Sequence, residues 1–335
     1  MTITVLKPGL LSTFQDLGRF GYQHLGVPAC GAMDGNALRL ANLLAGNDPG
    51  CAALEITLVG PRLRFEQPAC FAIAGADLGA TLNGEPAALH RPLVARAGDE
   101  LAWTARVRGA RCYLAVHGGF ALDTVMGSDS TYLRSGFGGL QGRALAKGDR
   151  ITLRRPLRGQ SLQDLVDMLW QQRIYLPAGL SARPDAAVRI MPGAQWNDFS
   201  AASRQALVEA IWRIGAQSDR MGYRLEGPPL ALSSPRQLLS EAIAFGAIQV
   251  PAGGAPIVLM ADRQTTGGYP KIAQVATVDL PVLAQKAPGD AVSFELIDLG
   301  RAQRLDALRE QSFVRLHESL AWLRERLRAY REEPT

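Results

Sequence analysis

The feature that most constrains the fold is that the chain repeats itself. Residues 19 to 26 read RFGYQHLG and residues 220 to 227 read RMGYRLEG, both R-x-G-Y-x-x-x-G, with an Asp upstream (Asp16, Asp219) and a Pro after (Pro28, Pro228). EITLVG (55–60) matches EAIAFG (241–246), AIAGAD ends at Asp77 as VLMAD ends at Asp262, and VLKPG (5–9) opens one half as RIMPG (189–193) opens the other. Each half also reaches a Gly-Asp pair before an apolar alternation, Gly98-Asp99 and Gly289-Asp290. The same items in the same order point to two similar units, and 335 residues suffice for two cores.

Short apolar segments such as ITVL, RLRF, CFAIAG, CYLAVHG, RITLR, AIQV and PIVLMA, separated by Gly and Pro, read as strands. Helical patterns are fewer. DGNALRLANLLAGN has Asp34 or Asn36 as N-cap and Gly46 as a stop, and SAASRQALVEAIWRI is amphipathic. The expected organisation is mainly β: a first unit over 1–157, a linker with a possible helix over 158–187, a second unit over 188–299 and a C-terminal helix over 300–335. Leu308, Phe313, Leu316, Leu320, Leu323 and Leu327 give that helix an apolar stripe, for packing on its own domain or for a partner.

Hydrophobic residues at 47% and charged residues at 20% describe a globular chain. Apolar runs fall far short of a bilayer span and the N-terminus lacks a secretion signal, so a cytoplasmic protein without membrane association is expected. Cys30, Cys51, Cys70 and Cys112 are scattered and do not cluster with the four histidines, which argues against a metal. Only four of 36 basic residues are lysines, a bias suited to planar anions, and no basic run interleaved with aromatics suggests nucleic acid.

The repeat supplies an internal control, because what both halves share is explained by fold and what only one has is a candidate for function. After Asp77 the first half has LGATLNGEPAALHRPL, whereas after Asp262 the second has RQTTGGYPKIAQVATVDL. The first half alone has HGGFALDTVMGSDSTYLRSGFGGLQGRALAKGD (117–149), in which Ser128, Ser130, Thr131 and Arg134 precede a glycine-rich stretch, the materials of an anion cradle. It is neither a Walker A loop nor a G-x-S-x-G elbow.

Four blocks, LSTFQDLGRFGYQHLGVPACGAMD, GSDSTYLRSGFGGLQGRALAKGD, SDRMGYRLEGP and GAIQVPAGGAPIVLMADRQTTGGYPKIAQVATVDLPVLAQKAPGD, resemble the signature blocks of the allophanate hydrolase subunit 2, or biotin-dependent carboxyltransferase, family over about residues 3 to 298. The resemblance implies tandem cyclophilin-like β-barrel units and three functional readings. The first is one component of ATP-dependent 5-oxoprolinase, opening 5-oxoproline to L-glutamate with a B subunit of the allophanate hydrolase subunit 1 family and a lactam-utilisation-type A subunit. The second is a carboxyltransferase component acting on urea or another amide, with carboxybiotin supplied by a partner, since the chain has no A-M-K-M biotinylation motif. The third is a non-catalytic antagonist of a histidine-kinase inhibitor.

On the enzyme readings, Arg134, Arg263 and Lys271 are expected to bind an anion. Thr265 and Thr266, with the N–H groups of Gly267 and Gly268, would orient a lactam, amide or phosphoryl group alongside Gln264. Asp262 is a candidate base or orienter, with a turn-capping role open because Asp77 matches it. Tyr269 would be a wall or a hydrogen-bond donor, and His24 a general acid or base. Arg19 and Arg220 are expected to pair with Asp16 and Asp219.

Overall fold

The computed structural model describes residues 2–155, 157, 162–180, 186–234 and 236–329. Parts of the expected linker and the last residues of the expected C-terminal helix lie outside them. Among the described residues the chain is mainly β with six α-helices, and it divides into two compact units, one made of Met1–Gly18, Asp34–Ser181 and Ser312–Thr335, the other of Arg19–Met33 and Ala182–Gln311.

The first unit has two antiparallel sheets. One orders its strands as Arg150–Thr152, Thr2–Lys7, Arg62–Phe65, Glu100–Trp103, Ala80–Leu82 and Glu85–Pro86; the other as Leu11–Gln15, Ala53–Thr57, Arg108–Val116, Ala69–Asp77 and Pro92–Ala95. Alternate side chains of both sheets, among them Ile3, Val5, Phe14, Leu63, Phe65, Phe71 and Leu114, form one buried core. The helix Gly35–Leu44 packs on Ala69–Asp77 and Arg108–Val116, with Asp34 as its cap: the carboxylate accepts the Ala37 N–H at 2.9 Å.

The second unit has an eight-stranded sheet in the order Ala291–Val292, Trp212–Ile214, Gly222–Glu226, Ile257–Leu259, Ala247–Gln249, Lys271–Val275, Val188–Pro192, Phe294–Leu296. Its two terminal strands are separated in the chain by Ser293 alone, so the sheet must curl back on itself into a nearly closed barrel. Val188, Ile190, Trp212, Tyr223, Ile248, Val258 and Ile272 fill it.

Several repeated features are equivalent in three dimensions. Gly98 and Gly289 both have left-handed backbone (φ 90° and 87°), and the carboxylates of Asp99 and Asp290 accept the N–H three residues back, from Arg96 at 2.7 Å and Ala287 at 2.8 Å. Gly148-Asp149 builds the same turn a third time. A Cβ on Gly9 or Gly193 would lie 2.5 Å from the Val59 carbonyl oxygen or 2.4 Å from that of Lys271, which accounts for both Pro-Gly openings. Other matches diverge. Glu55 is buried against the Tyr113 hydroxyl, whereas Glu241 is exposed. Gly21 has φ 94°, but Gly222 sits in a strand with ordinary φ, where it makes space beside Ile257.

The linear partition also needs correction. Residues 19–33 belong to the second unit, because Met33 is wholly buried in its core and the Gly31 carbonyl accepts from Arg220 at 2.6 Å. The helix Leu162–Gln171, placed in the expected linker, is part of the first unit: Leu165 and Leu169 are buried and Arg91 donates to the Leu169 carbonyl at 3.0 Å. The C-terminal segment is two helices, Leu299–Ser319 and Ala321–Ala329. Phe313, Leu316, Leu320, Leu323 and Leu327 are buried, but Leu308 is 57% exposed and leaves the stripe.

Candidate functional site

In the first unit the glycine-rich insert does cradle an anion, and the anion is the unit's own Asp16. Its carboxylate accepts the Ser128 hydroxyl at 2.8 Å, the Ser130 hydroxyl at 2.5 Å, the Asp129 N–H at 2.7 Å and the Gly18 N–H at 2.8 Å. Ser128, Ser130 and Thr131 are fully buried, and Gln15 donates to the Thr131 carbonyl at 3.2 Å. A charged group bonded this completely orders the loop around it. Arg134 stands exposed in the following turn. A cavity of about 360 Å³ adjoins the cradle, lined by Asp16, Asp48, Cys51, Thr124, Asp129 and Arg154 among others. Asp129 accepts from Thr124 at 2.5 Å and from Arg154 at 3.3 Å.

In the second unit the strand Ile257–Leu259 delivers the chain into the polar segment. Asp262 is 5% exposed and pairs bidentately with Arg220, at 2.9 Å through each oxygen. It is neither a turn cap nor Arg220's bystander: Asp219, the expected partner of Arg220, instead accepts the Met221 N–H at 2.8 Å, and Asp16 likewise serves its own loop rather than Arg19. The Cys30 thiol lies by this pair, and burial, reinforced by the Asp262 charge, pushes it up to about 12. Arg263 donates to the Met260 carbonyl at 3.3 Å with its guanidinium over Phe245 at 5.5 Å, and burial lowers its pKa.

Beyond Arg263 the chain forms a narrow ribbon, Thr266–Gly267 pairing with Glu241–Ala242, extended by the Ile243 N–H to the Thr265 carbonyl at 3.2 Å. Lys271 forms an ion pair with Glu241, which holds that carboxyl below its usual range, and the Lys271 N–H donates to Gln195 Oε1 at 3.0 Å. Gly268 lies close to the Leu238 carbonyl and Ser240. Thr266 and Gln264 are exposed and Tyr269 is 49% exposed. The segment therefore brings Thr265, Thr266, Gly267, Gly268 and Lys271 to one edge of the barrel, while His24 occupies an exposed turn at Gln23–Leu25. The sequence reading missed Gln195, Glu241 and Gln249. For Gln249 there was a signal, a lone amide inside the apolar run AIQV.

Residues 25–296 match the family model for the carboxyltransferase domain, subdomains A and B. The chain belongs to this family. Relatives of this carboxyltransferase-domain protein include the C subunit of 5-oxoprolinase from Escherichia coli, 40% identical over 96% of this chain and 98% of the relative. That of Haemophilus influenzae is 39% identical over 90% and 94%. The crystal structure of the Kluyveromyces lactis urea carboxylase superposes with a TM-score of 0.84 at 28% identity, covering 94% of this chain and 29% of that much longer one. Among the described residues no helix is long and apolar enough to cross a membrane.

Proposed function

We propose that this carboxyltransferase-domain protein is the C subunit of an ATP-dependent 5-oxoprolinase that works only in a complex. The observation that carries the reading is the end-to-end likeness to two proteins named as that C subunit of 5-oxoprolinase, over 98% and 94% of their lengths. Opening a five-membered lactam moves negative charge onto its carbonyl oxygen, and preorganised donors stabilise that charge. This chain offers the Thr266 hydroxyl, the N–H groups beside Gly267 and Gly268, and Lys271, whose Nζ Glu241 holds in place. ATP would supply phosphoryl activation. With no G-x-x-x-x-G-K-[ST] loop in this sequence, its triphosphate is assigned to a partner of the lactam-utilisation type.

Asp262 acts here by holding Arg220 and the start of the segment, through both of its oxygens. The test is reconstitution with the A and B subunits, ATP and 5-oxoproline. Stoichiometric glutamate that depends on this chain is the expected result, and its absence in a stable ternary complex would refute the reading. A second reading, a carboxyltransferase component receiving carboxybiotin from a partner, draws on the likeness to urea carboxylase. It predicts carboxylation of urea by the assembled partners and no glutamate.

A further inference from the structure

Gln249 ends the strand Ala247–Gln249 at a break in register: Ile248 faces Ala273 but Gln249 faces Lys271, so the neighbouring strand bulges by one residue at this point. Such bulges re-aim side chains beside functional sites. The residue is 2% exposed, and its Nε2 has no hydrogen-bond partner among the described residues. A buried primary amide left unmatched is costly, by more than a hydrogen bond to it contributes when satisfied. Nearby chain is shaped around it. A Cβ on Gly267 would sit 2.8 Å from Gln249 Nε2 and 3.3 Å from that of Gln264, so glycine lets the ribbon lie across the amide without moving it.

We infer that Gln249 is the specificity-determining residue of this edge, its amide N–H donating to the ring carbonyl oxygen of a lactam or cyclic urea. A planar N–C=O group presents an acceptor and a donor side by side, which a carboxamide matches and a carboxylate or ammonium does not. The ligand reaches it as the Glu241–Ala242 strand parts from Thr266–Gly267, so that Gln249 and the Thr266–Lys271 donors face one ligand. That cover is thin: residues 239–242 are exposed, and a two-stranded ribbon of this length is marginal by itself. Lys271, opposite Gln249 in the ladder and paired to Glu241 of the ribbon, ties the cover to the same spot. The inference rests on the reading of Asp262–Lys271 as the ligand-binding edge.

The full-length chain is titrated calorimetrically with 5-oxoproline, with 2-imidazolidinone, and with proline, which lacks the ring carbonyl. Wild type should bind a carbonyl probe at least tenfold more tightly than proline. Gln249→Leu should abolish that preference with an unchanged or higher melting temperature, because it removes a polar group that has no partner in the free protein. Gln249→Met serves the same purpose if Leu does not fold. Binding of 2-imidazolidinone but not 5-oxoproline, lost in the variant, would uphold the inference while removing 5-oxoproline as the substrate. Equal affinity in variant and wild type, a lowered melting temperature with affinity intact, or no preference for a carbonyl probe in wild type would each overturn it.

Discussion

At the scale of residues, the same chemistry takes different roles according to burial. Asp262 looks like a catalytic carboxylate in a polar loop, yet its two oxygens meet Arg220 away from water. Breaking such a pair leaves an uncompensated buried charge. Asp262→Ala should therefore cost about 3–5 kcal/mol in denaturant unfolding, and Arg220→Met/Asp262→Leu should cost less than either single change. His90 supplies a pH dependence. Burial, then the Arg108 charge, lowers its pKa below the ordinary 6.5. The folded state thus disfavours the imidazolium: the contribution is absent above pH 6.5 and becomes a loss of stability as pH falls below it. His90 also has φ 60°, which Asn tolerates, so His90→Asn should flatten the fall in Tm between pH 7 and 5. A variant whose Tm falls as steeply as wild type would count against this assignment.

At the scale of elements, the repeat was legible where local geometry demands a residue and misleading where only letters matched. Gly-Asp turns and Pro-Gly openings recur because a left-handed φ favours glycine and a close backbone contact excludes a Cβ. Gly289→Ala should cost about 1–2 kcal/mol, and Gly98→Ala a similar amount, read as midpoint shifts in urea at constant m-value. The matched glutamates have no such shared cause: Glu55 is bonded to a buried tyrosine, Glu241 to Lys271. Helix 35–44 was readable from its cap and spacing, but the Asp16 cradle was not. Hydroxyls in a glycine-rich loop advertise an anion site without disclosing whose anion fills it.

At the scale of the whole molecule, β-rich duplication was legible and the exchange of segments was not. Periodicity reports which residues seek burial, not which core receives them, so Met33 and the C-terminal leucines gave no sign of their destinations. The helix Ala321–Ala329 buries Leu323 and Leu327, the latter against Gly46 of the first unit. Ending the chain after Leu320 should lower the Tm by several degrees, since two large apolar side chains contribute roughly 1.5–3 kcal/mol each; an unchanged Tm would show that this helix does not stabilise the unit.

On the 5-oxoprolinase reading the polar edge of the second unit's barrel, and not the partner proteins alone, acts on the substrate. This is tested most directly by glutamate formation in the reconstituted ternary complex carrying Thr266→Ala and Lys271→Ala, with assembly checked by sedimentation. Turnover reduced a hundredfold or more in an intact complex is the expected result. Undiminished turnover in that complex would contradict the account.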